Sequence, residues 1–187
     1  RDKGQEALQL ADEVIGDGFL SRLNMDLRED KSWSYGVGSQ ITSATGPIAL
    51  LVYTQVQSDR TADSIKLLLD DMAAFPGKQP VDDSEYQRVT DGNIRGMPNR
   101  YETNAQVLGA LVGNERLGRP DDYQAKLPQT YRSITKAQID AAARTYLQPD
   151  DLAIVVVGDR KVIDKQLATL NLPVEYVAAE ADLADRK

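Results

Sequence analysis

Two strand-like stretches lying a few residues apart constrain this chain more than any other feature. In Ser34-Tyr35-Gly36-Val37-Gly38-Ser39-Gln40-Ile41, the residues Tyr35, Val37, Ser39 and Ile41 recur with period two, which predicts one face of a strand. Ile48 to Gln57 is a nearly continuous apolar run, the pattern of a strand buried on both faces. Thr45-Gly46-Pro47 stands between them as a turn. A connection this short makes a hairpin, because parallel neighbours need a crossover of a dozen residues or more. The sheet is therefore expected to grow around an antiparallel pair.

Helical patterns surround the hairpin. Leu8, Ala11, Ile15, Phe19, Leu23 and Leu27 form a stripe from about residue 5 to 28, and Gly16-Asp17-Gly18 divides it into two helices or one bent one. Ser58-Asp59 predicts a cap for a helix carrying Ile65, Leu68, Leu69 and Met72, which stops before Pro76-Gly77. Asp82 with Glu85, Thr103 with Gln106, and Thr135 with Gln138 each have the spacing of a capping box. The first of these helices runs to about Gly96, where Pro98 bends or ends it. Asp121-Asp122 opens another, striped by Tyr123, Leu127 and Tyr131. Leu152 to Val157 reads as a buried strand that turns at Gly158-Asp159 into a helix from Lys161 to Leu170, and Val174 to Val177 as an edge strand. The tail after Ala178 has nothing to bury and is expected to fray or serve as a linker. Strands and helices do not alternate regularly. The expected fold class is α+β, with helices packed on one face of a small, largely antiparallel sheet, and residues 1–187 forming one domain.

Composition narrows the chemistry. The 187 residues carry 29 acidic and 22 basic side chains, a formal net charge of -7, and no basic patch of the kind that nucleic acid requires. No apolar run approaches the length of a membrane span. There is no cysteine and no histidine, which excludes a thiolate or imidazole zinc site, a cysteine nucleophile and any Ser-His-Asp arrangement within this chain. A catalytic reading must use carboxylates, Lys, Tyr or Arg, or borrow groups from elsewhere. The chain opens at Arg1-Asp2-Lys3 without a methionine and is read as a piece of a longer or processed protein.

Most candidate motifs have plain explanations. Gly36-Val37-Gly38 lies inside a strand rather than between a strand and a helix, so it suits close approach of a backbone better than a phosphate loop. Gly158-Asp159-Arg160 has one glycine and reads as a strand–helix turn. The pairs Asp70-Asp71, Asp82-Asp83, Asp121-Asp122 and Asp150-Asp151 point in divergent directions and fit capping and solubility. Arg28 and Tyr35 offer more. Arg28 would favour a helix C-terminus, beside Glu29 or Asp30, and Tyr35 could be an inward strand aromatic. Delivered from a helix end and the next strand, however, a guanidinium and a phenolic O–H can converge on a peptide carbonyl or on the oxyanion formed when it is attacked.

The stretches Ile15-Gly16-Asp17-Gly18-Phe19-Leu20-Ser21-Arg22-Leu23, Leu27-Arg28-Glu29-Asp30 and Ser34-Tyr35-Gly36 resemble the second, non-zinc domain of insulinase/pitrilysin-type zinc metallopeptidases, a family that includes mitochondrial processing peptidase and large bacterial peptidases. Pro98 to Asn104, Leu117 to Tyr123, Ile134-Thr135, Tyr146 to Asp150 and Ile154 to Asp159 follow the family's order, so the resemblance covers about residues 5 to 177. It implies a processing-peptidase-like domain, possibly short of its first strands, that pairs with a zinc-bearing domain on the same polypeptide or on a partner subunit. It also implies that Arg28 and Tyr35, seven residues apart, bind the substrate backbone, while zinc and the general base come from the partner's H-x-x-E-H motif. Metal ligands are expected to be absent here, and this chain alone is expected not to hydrolyse peptides. Asp17 replaces a family glycine, and Ser32-Trp33 stands where Gly-aromatic is common. The resemblance to bacterial versions is compatible with either periplasm or cytoplasm. The competing readings are a scaffold member of the same family without catalysis and an acidic peptide-binding module.

Overall fold

The structure is a computed structural model that describes residues 4–42 and 49–177. The expected turn at Thr45-Gly46-Pro47 and the tail from residue 178 lie outside the described residues. Helix α1 (Gln5–Ile15) is the element around which the others pack. Its Leu10, Ala11, Val14 and Ile15 are fully buried, so it is apolar on more than one face, as a central helix must be. It ends at Gly16, as the glycine pair predicts. A Cβ at Gly16 would lie 2.6 Å from Ser39 Oγ, so the lack of a side chain there is what lets the first strand lie against the helix end. The stripe resumes as a short turn, α2 (Arg22–Asn24), which passes directly into a π-helical turn, Met25–Asp30.

Strand β1 (Ser34–Ile41) pairs antiparallel with β2 (Leu50–Val56), with Val37 opposite Thr54 and Ile41 opposite Leu50. A lone two-stranded ribbon is marginal in water, and this one is held by the helices beneath it. The remaining helices are α3 (Thr61–Ala74), α4 (Asp83–Gly96), α5 (Asn104–Leu117), α6 (Tyr123–Ser133), α7 (Lys136–Tyr146) and α8 (Arg160–Leu167). Leu23 and Leu27, Phe75 after α3, Val89 of α4, Tyr131 of α6 and Ile139 of α7 meet α1 in one core. Each such side chain contributes about 1.5–3 kcal/mol by leaving water. A smaller cluster of Ile65, Ile163 and Leu167 joins α3 to α8. All three capping boxes form: Asp82, Thr103 and Thr135 each accept from the backbone N–H three residues on, and Glu85, Gln106 and Gln138 reach back.

The α+β class holds, mostly helical with a small antiparallel sheet. Several local expectations do not. β2 is not buried on both faces: Leu51 is 47% and Tyr53 56% exposed. Leu152 to Val157 forms no strand, and neither does Val174 to Val177. The first of these segments lines, with β2 and α3, a groove of about 620 Å³, and Val155 and Val157 are almost fully exposed. Its β-branched sequence has strand propensity, but a strand exists only where a neighbour pairs with its N–H and C=O groups, and the groove stands where that neighbour would be. Ser58-Asp59 is a 3-10 turn rather than a cap: α3 begins at Thr61, and the Ser58 carbonyl accepts from Thr61 Oγ1 and Gln166 Nε2.

Asp12 is buried where α1 meets β1, its Oδ1 accepting from Ser39 Oγ at 2.5 Å. Burial, only partly offset by the Ser39 bond, pushes its carboxyl up to about 6. Asp71 of α3 is pushed up to about 7 by burial and by the facing carboxyl of Asp26. In both cases the folded chain holds a proton that the unfolded chain has released, so the contribution of these two groups to stability is greatest below about pH 4 and is lost as pH rises through 6 to 7. Asp12→Asn is expected to remove one share of that decline. Urea unfolding should show it more stable than the parent by roughly 2 kcal/mol at pH 7 and little different at pH 4. An unchanged pH profile would contradict the assignment.

Candidate functional site

The helix-to-strand seam is built by a wide turn. The π turn carries Arg28, and π turns inside helices recur at functional sites because they swing one side chain out of the ordinary helical position. The turn closes when Trp33 N–H donates to the Leu27 carbonyl at 2.9 Å, one residue wider than the usual closure of an α-helix. Ser32, at φ +55°, provides the left-handed residue that such a closure needs. Gln57 then secures the seam from the far strand, donating its backbone N–H to the Trp33 carbonyl and its side-chain amide to that of Ser32.

Tyr35 departs from the simple alternation. Ser34 faces Val56 and Val37 faces Thr54, so β1 spends one residue more than β2 over this interval. This is a β-bulge at Tyr35-Gly36. Beyond it Val37 and Ser39 point inward and are buried, whereas Tyr35 is 99% exposed. The predicted shared face of Tyr35, Val37, Ser39 and Ile41 is thus corrected: the extra residue breaks the period and turns Tyr35 outward. The bulge is clasped by Ser34 Oγ, which bonds both the N–H and the carbonyl of Gly36, and by Thr54 Oγ1, which donates to the same carbonyl at 2.9 Å.

Arg28 and Tyr35 come together as walls of one cleft of about 640 Å³, with Glu29, Trp33, Gln55 and Gln57. The Arg28 guanidinium lies 3.9 Å from the centre of the Phe19 ring, and its Nη1 stands 2.7 Å from Glu29 Oε1. That ion pair is not aligned as a hydrogen bond, and the buried Nη1 has no aligned acceptor. A guanidinium carries five N–H donors, so Arg28 retains donors for a ligand, and the Tyr35 hydroxyl adds another. Phe19 and Glu29 hold the guanidinium from two sides. Phe19 was not singled out by its sequence position, because a residue in a helical stripe ordinarily signals core; it is in fact 64% exposed.

The chain has neither histidine nor cysteine, and among the described residues no group of acidic side chains is arranged to hold a metal ion. Two of the paired aspartates serve their helices, Asp82 by capping α4 and Asp122 by an ion pair with Lys126 one turn on. Asp71 departs from the expectation of capping or solubility: it lies within α3, half-buried against Asp26.

The model of the peptidase M16 inactive domain matches residues 1–92. Among solved structures, a peptidase M16 inactive domain from Pseudomonas fluorescens superposes with a TM-score of 0.72 at 23% identity, over 80% of this chain and 35% of that one. A protease from Helicobacter pylori gives 0.65 at 14% identity, over 80% and 36%. A candidate zinc protease from Bordetella pertussis Tohama I gives 0.62 at 18% identity, over 76% and 77%. The chain spans about a third of the first two of these. Among curated proteins, none matches.

Proposed function

Since the peptidase M16 inactive-domain model matches residues 1–92 and the motifs at the seam resemble the same family, we propose that this chain is the substrate-holding domain of an insulinase-type zinc peptidase. Arg28 and Tyr35 hold the backbone of an extended peptide. They offer their N–H and O–H groups to its carbonyl oxygen and then to the oxyanion that develops there. The observation that carries this reading is the bulge, which turns Tyr35 out into the cleft that Arg28 lines. A core aromatic would have no reason to be so exposed. The metal and the general base are assigned to a second domain or subunit, since the chain has neither histidine nor cysteine and no group of acidic side chains among the described residues is arranged to hold a metal ion.

The reading predicts weak but saturable peptide binding by the 187-residue chain itself. In an NMR titration with an unstructured peptide, amide shifts should be confined to residues around 28–37 and 55–57. Shifts centred on the groove between β2 and residues 152–158, or no saturation at millimolar peptide, would overturn it.

A further inference from the structure

We infer that Asn24 is the positioning residue that sets Tyr35 relative to Arg28; this rests on the peptide-holding reading of that pair. Asn24 lies one turn before Arg28 on the same helical segment and is 4% exposed. Its side-chain amide treats β1 as a neighbouring strand would. Oδ1 accepts from Val37 N–H at 2.8 Å, and Nδ2 donates to the Val37 carbonyl at 2.5 Å. Both main-chain groups of a single strand residue are thus held by one side chain. Nδ2 also lies 3.0 Å from the Gly18 carbonyl and 3.1 Å from Ser21 Oγ, so the amide is fixed from the helix side as well.

The position of that contact is what gives it meaning. Val37 is the first residue after the bulge at which β1 resumes its register with β2. A bulge leaves the backbone before it free to swing, since its extra residue has no partner in the ladder. Ser34 and Thr54 clasp the bulge from within the sheet, but they tie β1 only to itself and to β2. Asn24 ties it to the segment that carries Arg28. Gly36 leaves room for this: a Cβ there would approach Asn24 Oδ1 to 3.3 Å. Removing the amide would leave the hairpin paired and the helices packed, with the Trp33–Leu27 closure before the bulge and the Ser39–Asp12 bond two residues past Val37 as the remaining polar ties, neither of which holds the strand where it leaves the bulge.

The test compares Asn24→Asp, which keeps the acceptor and loses the donor, with Asn24→Gln, which keeps both but displaces them by one methylene. Thr54→Val, which loosens the clasp without touching the helix, is the control. Residual dipolar couplings report the orientation of the Tyr35–Ser39 N–H vectors relative to those of Leu23–Asp30. In the Asn24 variants that angle should change or lose its single value, while β1 and β2 stay paired from Val37 to Ile41 and the peptide dissociation constant rises at least tenfold. Thr54→Val should leave the angle intact. An unaltered angle in either folded Asn24 variant overturns the inference. So does the absence, in the parent chain, of scalar coupling across the hydrogen bond from Asn24 Nδ2 to the Val37 carbonyl. If the parent binds no peptide, the peptide-holding reading fails, while the angle and the coupling still decide the role of Asn24.

Discussion

On the proposed peptide-holding role, Tyr35→Phe is expected to lower peptide turnover by a zinc peptidase that contains this chain about 10²–10³-fold. Loss of one preorganised donor to a developing oxyanion has this size because the group is already in place when charge appears, and no water can replace it as well. Arg28→Gln should cost at least as much, since it removes a charge as well as donors. Tyr35→Phe should hardly affect folding. Tyr35 is 99% exposed, and exposed side chains away from caps and buried networks usually change stability by no more than about 0.5 kcal/mol. The measurement is therefore paired: steady-state turnover against thermal unfolding. Turnover of Tyr35→Phe within about threefold of the parent would remove Tyr35 from the site. A large fall in stability would show that its effect is structural.

Arg22→Ala is expected to give the opposite result, although Arg22 sits on the same helical segment. Its guanidinium is bidentate to Glu85, with Nε and Nη2 at 2.7 and 2.6 Å, and it donates to the carbonyls of Gln79 and Pro80. The ring of Phe75 lies 4.7 Å away, and the two charged side chains are 16% exposed. Truncation leaves the half-buried Glu85 carboxylate with only the Asp82 backbone N–H as donor, while water can replace Arg22 at the exposed carbonyls of Gln79 and Pro80. The expected loss is about 2–3 kcal/mol, below the full cost of breaking a wholly buried pair because some water still reaches this one. Urea unfolding measures it, and Arg22→Ala/Glu85→Ala should recover part of the loss by removing the stranded carboxylate. Peptide affinity measured below the unfolding midpoint should stay near that of the parent. Two arginines six residues apart would then be separated cleanly, one holding the fold and one serving the cleft.

Much of this arrangement is legible in the sequence where the signal is local. A capping box needs only an acceptor and an acid or amide three residues on, so Asp82, Thr103 and Thr135 identify their helices correctly. The glycine break after Ile15 and the hairpin are local in the same sense. The spacing of Arg28 and Tyr35 is legible only through the family motif, because nothing in the pattern of Tyr35, Val37 and Ser39 shows the extra residue that reverses Tyr35. A bulge is a property of two strands counted together. Leu152 to Val157 illustrates the same limit: propensity resides in the segment, but pairing depends on a partner elsewhere. Asn24 was invisible for another reason. A polar residue between Leu23 and Met25 resembles any solvent-facing position of an amphipathic helix, and only the approach of Val37, thirteen residues away, gives its amide something to hold.

Trp33 is the chain's only tryptophan, and it stands in the wall of the cleft with the Arg60 guanidinium 5.7 Å from its ring. The chain therefore carries a single indole, which can be excited apart from its eight tyrosines, at the place where a ligand would arrive. Its fluorescence has no second indole to dilute it and needs no attached dye. Any occupant that excludes water from the indole or displaces Arg60 reports itself by a change in emission. The seam is consequently also an optical probe, and libraries of unlabelled peptides can be screened against it directly.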